Sequence, residues 1–94
     1  MATYILLGTL TDEGAEKLRT HPEWIVEVNH DLQAMGVKVL AQYAVLGPYD
    51  IVNIIEAPDN KTVVAVSTQL TLRGSVRITT LPALPIDDFL ATLK

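Results

Sequence analysis

The stretch LGPYDIVNII, residues 46–55, decides the fold of this chain. An apolar run halts at Gly47-Pro48, shows a Tyr49-Asp50 pair and returns at once to Ile51-Val52-Asn53-Ile54-Ile55. Gly47 admits the φ values that a residue before proline needs in a turn, and Pro48 fixes its own φ. Asp50 can accept hydrogen bonds from nearby turn amides, and Tyr49 offers a half-buried ring with a polar tip. All four residues have work as a corner, with a pocket role for the pair as the alternative. Strands over residues 37–46 and 50–57 then form a hairpin across a tight turn. In the first of them Val37, Val39, Ala41, Tyr43 and Val45 share one side, and Lys38, Leu40, Gln42, Ala44 and Leu46 share the other.

Upstream, residues 3–10 are short, apolar on both faces and rich in β-branched and aromatic side chains, the pattern of a central strand. Gly8 inside it points to a bulge or to close approach of another backbone. Thr11 starts a helix with Asp12 and Glu13 in its first turn, Ala15 and Leu18 as a thin apolar stripe, and Glu13 and Lys17 as an i,i+4 pair. Pro22 interrupts it. Thr20-His21-Pro22-Glu23 has capping-box spacing for a second helix whose core face is Ile25, Val28, Leu32 and Met35 and whose stop is Gly36.

Downstream, Pro58-Asp59 ends a strand and caps a helix over residues 60–72, with Val63, Val66 and Leu70 as its stripe and Gly74 after it. Residues 75–81 read as the last strand, Val76 and Ile78 opposing Arg77 and Thr79. A tail over residues 85–94 carries Ile86, Phe89, Leu90 and Leu93 at the spacing of a short amphipathic helix. The order predicts one α+β domain over residues 1–94. It is a ferredoxin-like β-α-β-β-α-β antiparallel sheet with both long helices on one face, plus a short C-terminal helix. Such helices cover a single face, yet Tyr4, Leu6 and Leu10 oppose Ile5 and Leu7, and Val52 and Ile54 oppose Ile51 and Ile55. The second face needs a cover, and the sheet of another copy is the simplest one, giving a homo-oligomer as a dimer or a higher assembly.

Composition points the same way. Hydrophobic residues make up 49% of a 94-residue chain, more than so small a body readily hides. There is no cysteine, which excludes disulfides, thiolate nucleophiles and cysteine-ligated zinc. A net charge of −4 with seven scattered basic residues argues against nucleic acid and anionic membranes as partners. The N-terminus lacks the pattern of a signal peptide, and a cytoplasmic location is expected.

Gly47-x-Tyr49-Asp50 at the start of a strand, followed by Val52, Ile54 and Glu56-Ala57-Pro58-Asp59, resembles the GYD domain family. Thr11 and Gly14, the Pro22 break, Gly36 and Gly74 agree with it, so the resemblance spans about residues 3–84. It implies a domain of the dimeric α/β-barrel type that associates through its sheet, and it supplies no settled activity. Where members carry a basic residue just after the break, this chain has Glu23-Trp24, so no anion-binding role is carried to that position.

No catalytic set assembles from the motifs, and neither a metal nor a cofactor is expected. His30 lies opposite the apolar helix face, His21 sits at the helix break, and two histidines without convergent carboxylates make a poor metal site. Ser67 and Ser75 lack a nucleophile elbow. Thr9 and Thr11 could reach a ligand but more often cap helices, and Trp24 reads as a core anchor. Tyr4, Tyr43 and Asn53, with Gln42, could supply polarity to a ligand pocket, and Asn53 stands out because it interrupts an apolar strand. The leading reading is a non-catalytic homo-oligomeric module that binds an unknown small molecule or simply assembles. The alternatives are a cofactor-free monooxygenase-like or isomerase-like enzyme, and a protein-interaction adaptor docking through the tail helix.

Overall fold

A computed structural model describes residues 1–94 and has β1 (Ala2–Leu10) in the middle of its sheet. The other elements are α1 (Asp12–Thr20), α2 (Trp24–Ala34), β2 (Lys38–Ala44), β3 (Ile51–Ala57), α3 (Asn60–Leu72), β4 (Val76–Ala83) and α4 (Ile86–Ala91). The fold is mixed α+β, its four strands forming one antiparallel sheet in the order β2-β3-β1-β4. Across β1 and β3, Tyr4 pairs with Ile55 and Leu6 with Asn53, while Ile5 pairs with Ile54 and Leu7 with Val52. Alternation therefore assigns Tyr4, Leu6, Ile55 and Ala57 to one face, where they join Leu32 of α2 and Val63, Val66 and Leu70 of α3 in the buried core. Ile5, Leu7, Val52 and Ile54 belong to the other face, which no helix covers.

Local chemistry sets the helix ends. The Gly14 N–H donates to the Thr11 hydroxyl (3.1 Å) and opens α1. The Thr62 N–H and hydroxyl both donate to Asp59 Oδ1 and open α3. Those two donors, the backbone one first, hold the Asp59 carboxyl below its ordinary range, so the cap is complete at neutral pH and is lost as acid protonates it. Gly36 and Gly74 follow α2 and α3 with φ of 86° and 79°.

Several expectations need correction. The capping box at residues 20–23 does not form: the Thr20 hydroxyl turns back to the carbonyls of Glu16 and Lys17, and α2 starts at Trp24 without a side-chain cap. α1 and α2 are nonetheless the two helices expected on either side of Pro22. On α1 the buried residue is Gly14, Ala15 being exposed, and the ion pair joins Glu16 to Arg19 rather than Glu13 to Lys17. Both of its side chains lie in solvent, where such a pair is worth little. Gly8 marks a close approach and no bulge, since a Cβ there would stand 3.2 Å from Val76 Cγ2. The irregularity falls instead between Val39 and Ala41 of β2. It moves Ala41 and Tyr43 to the uncovered face, beside Ile54 and Val52, and Gln42 to the helix face beside Asn53. The hairpin turn is longer than expected, residues 45–50, and the Val45 N–H closes it on the Asp50 carbonyl (2.9 Å). β4 runs on through Pro82, which an edge strand tolerates.

Gly14 shows how tightly the layers meet. The Thr11 N–H donates to the Ser75 carbonyl (3.1 Å), bringing α1 so close that a Cβ on Gly14 would stand 2.8 Å from the Ser75 carbonyl carbon and overlap its oxygen. Backbone cannot yield as a flexible side chain can. Gly14→Ala is expected to cost about 3 kcal/mol or more in urea unfolding despite alanine's better helix propensity. A neutral or stabilising effect would contradict the packing described.

Candidate functional site

Three polar side chains form a chain through the layer between α2 and the sheet. Asn29 Nδ2 donates to Gln42 Oε1 (3.0 Å), and Gln42 Nε2 donates to both Asn29 Oδ1 (3.2 Å) and Asn53 Oδ1 (2.6 Å). Both donors of Gln42 are thereby used, whereas Asn53 keeps its own Nδ2 free. Beside this chain lies a cavity of about 40 Å³, lined by Trp24, Ile25 and Val28 of α2, Leu70 and Arg73 at the end of α3, Ser75 just before β4, and strand residues that include Gly8, Gln42 and Asn53. Ser75 is only 1% exposed, and its Oγ has no hydrogen-bond partner in the protein, alone among the buried side-chain polar atoms. Arg73 Nη1 donates to Asp31 Oδ2 (2.9 Å) and ties α3 to α2.

The expected pocket residues are not gathered in one place. Asn53 lines this cavity. Tyr4 belongs to the core, its hydroxyl donating to Asn60 Oδ1 (2.5 Å) at the start of α3. Tyr43 lies on the uncovered face, more than half exposed. The turn residues are placed as a corner: Gly47 has φ 117°, Tyr49 is half-buried, and Asp50 reaches further than a local turn. The Asp50 N–H donates to the Gly8 carbonyl (2.9 Å) while its Oδ2 accepts the Leu10 N–H (2.9 Å), so it straps the start of β3 to the end of β1. His30 points to solvent, and the exposed His21 Nε2 stands 2.5 Å from Glu27 Oε2. Trp24 is buried, though outside the main core cluster, at the cavity wall.

Asn29, Arg73 and Ser75 were not anticipated as site residues. For Asn29 the signal was available, because it falls four after Ile25 and three before Leu32 on the inner helix face. Nothing in the residue pattern places Ser75 at a cavity, since that depends on where α1 crosses it.

Two surfaces remain apolar and exposed. One is the uncovered sheet face. The other is the tail, where Leu84, Ile86, Phe89, Leu90 and Leu93 are 47–68% exposed and α4 makes no substantial contact with the other elements.

Comparison with known proteins agrees in scale and shape. The GYD domain family matches the chain over residues 4–93. A protein of Thermus thermophilus named glutamine synthetase and cystathionine beta-lyase binding protein is 55% identical over 95 residues, covering 100% of both chains. A crystal structure of another Thermus thermophilus protein superposes with a TM-score of 0.60 over 90% of this chain and 95% of that one, and its 24% identity speaks for the fold alone.

The strap by Asp50 generates a test of the corner. Asp50→Ala leaves the Leu10 N–H without its acceptor and is expected to lower unfolding stability by about 1–3 kcal/mol, whereas Asp50→Asn keeps an oxygen there and recovers most of it. Tyr49→Phe, removing a hydroxyl with no partner in the protein, should leave the urea midpoint unchanged.

Proposed function

This chain belongs to the GYD domain family, and from that premise we propose that it is a protein-binding module that docks on soluble metabolic enzymes of the glutamine synthetase and cystathionine beta-lyase kind. The observation that carries this reading is the tail helix. Ile86, Phe89, Leu90 and Leu93 form one apolar stripe, are 47–68% exposed, and sit on a helix that makes no substantial contact with the other elements. A helix of this kind is suited to an apolar groove on a partner, where full burial of each large side chain contributes roughly 1.5–3 kcal/mol. The 55% identity over full length to a relative named for binding those two enzymes supports the choice of partner. This reading keeps the protein in the cytoplasm, and it prefers the adaptor alternative to a small-molecule module.

A second surface supports self-association. Ile5, Leu7, Val52, Ile54, Tyr43 and Leu81 form a continuous apolar patch on the uncovered face of what we read as a ferredoxin-like sheet, whose strand order favours that assignment. Lys38 pairs with Glu56 at one end of the face, and Arg77 pairs with Thr9 at the other. A two-fold copy laid face to face can bring Glu56 opposite Arg77, so the occupant we assign is a second copy of this chain.

The two surfaces separate experimentally. Deleting residues 85–94, or making Phe89→Asp, should weaken calorimetric binding to purified glutamine synthetase and cystathionine beta-lyase by about tenfold or more while leaving the oligomer intact. Ile54→Lys should yield a folded monomer in analytical ultracentrifugation. Tail variants that bind both enzymes as tightly as the parent would overturn the docking proposal, and a parent protein that sediments as a monomer would overturn the second.

A further inference from the structure

We infer that the cavity between α2, the end of α3 and the sheet is a binding site for a small carboxylate, received by the Ser75 hydroxyl and the Asn53 amide N–H with the Arg73 guanidinium beside it. The argument starts from Ser75. A buried hydroxyl without a partner costs the desolvation of that group, and native proteins rarely tolerate one without a reason. Ser75 is not there by slack packing, because its carbonyl receives the Thr11 N–H at 3.1 Å and Gly14 lies directly against its backbone. Ser75 lines the same cavity as Asn53, whose Oδ1 is occupied by Gln42 and whose Nδ2 makes no hydrogen bond in the protein. That carboxamide is oriented by the bond: with the oxygen fixed toward Gln42, the amide nitrogen becomes the end available to a guest.

The lining also states what kind of guest fits. Arg73 is the only charged residue among the lining residues and no carboxylate is among them, so an acceptor is favoured over a cation. Asp31 engages Nη1 of Arg73 and leaves the other guanidinium N–H groups available. The remaining walls are Trp24, Ile25, Val28, Leu70 and other apolar side chains, which suit a short alkyl end. A volume of about 40 Å³ is a few water-sized probes, room for one carboxylate and little more. The site is independent of the tail and of the uncovered sheet face.

Trp24 is the single tryptophan and stands in the cavity wall, so its fluorescence reports occupancy. Sodium acetate, titrated against sodium chloride at equal ionic strength, should change that fluorescence saturably and raise the melting temperature. Acetamide, without the charge, and pivalate, too wide for the cavity, should do neither. Ser75→Ala should weaken acetate about tenfold, the scale of one hydrogen bond to a charged group, and Arg73→Gln should weaken it as well. Without acetate, Ser75→Ala should melt no lower than the parent, since it removes an unpartnered hydroxyl. The proposal is overturned if acetate gives only the chloride response, if acetamide or pivalate acts equally, or if Ser75→Ala binds acetate as the parent does. It is also overturned if Ser75→Ala is destabilised without acetate, which would show that the hydroxyl serves the fold alone.

Discussion

The backbone at Leu10-Thr11 is the point on which the rest of the structure depends. Within two residues the end of β1 is fastened on both sides: the Leu10 N–H donates to Asp50 at the start of β3, and the Thr11 N–H donates to the Ser75 carbonyl just before β4. The Thr11 hydroxyl donates to the Gly74 carbonyl (2.7 Å) while accepting the Gly14 N–H, so the same residue caps α1 and clamps it on the junction after α3. These contacts span 40 to 64 positions of sequence, the costly kind of closure that makes a small sheet cooperative. Gly14 is the steric condition for them, and Gly8, packed against Val76, allows the neighbouring strand to approach. The corner at residues 46–50 is therefore one anchor of a wider fastening, and its aspartate works across strands.

What this fastening secures is a lopsided molecule. One sheet face is closed by α2 and α3, and the core there is apolar apart from the amide chain, the Tyr4 hydroxyl and Ser75. The opposite face and the tail are left apolar and open. Only 13 of 94 residues are buried although 49% are hydrophobic, so much of the apolar surface has no shelter within the chain. Surface of that extent favours association. The two open regions differ in character: the sheet face is broad and carries Glu56 beside Lys38 at one end and Arg77 at the other, which suits a copy of itself, whereas the tail is a narrow stripe backed by Asp87 and Asp88, which suits a groove on something else.

Legibility followed the range of the interactions. The caps at Thr11 and Asp59, the Val63, Val66 and Leu70 stripe and the turns at Gly36, Gly47 and Gly74 depend on neighbours a few residues away, and all were readable. β1 as a central strand was readable from side chains apolar on both faces. The irregularity in β2 was not, because Val39, Leu40 and Ala41 are all compatible with plain alternation, and only pairing with β3 reveals the shift. That single residue carried Tyr43 to one face and Gln42 to the other, which is why the expected pocket scattered. Asn53 was legible as an amide in an apolar strand, yet its partners were not. Gln42 comes to it through the irregularity, and Ser75 reaches the cavity through the long-range clamp by Thr11 and Gly14.

The central claim is that the apolar tail is the surface this domain offers to partner enzymes. Hydrogen–deuterium exchange of the protein alone and with glutamine synthetase or cystathionine beta-lyase tests it most directly. The account predicts new protection concentrated in residues 84–93, with β1 and β3 unchanged. Binding that leaves those residues exchanging as in the free protein would contradict it.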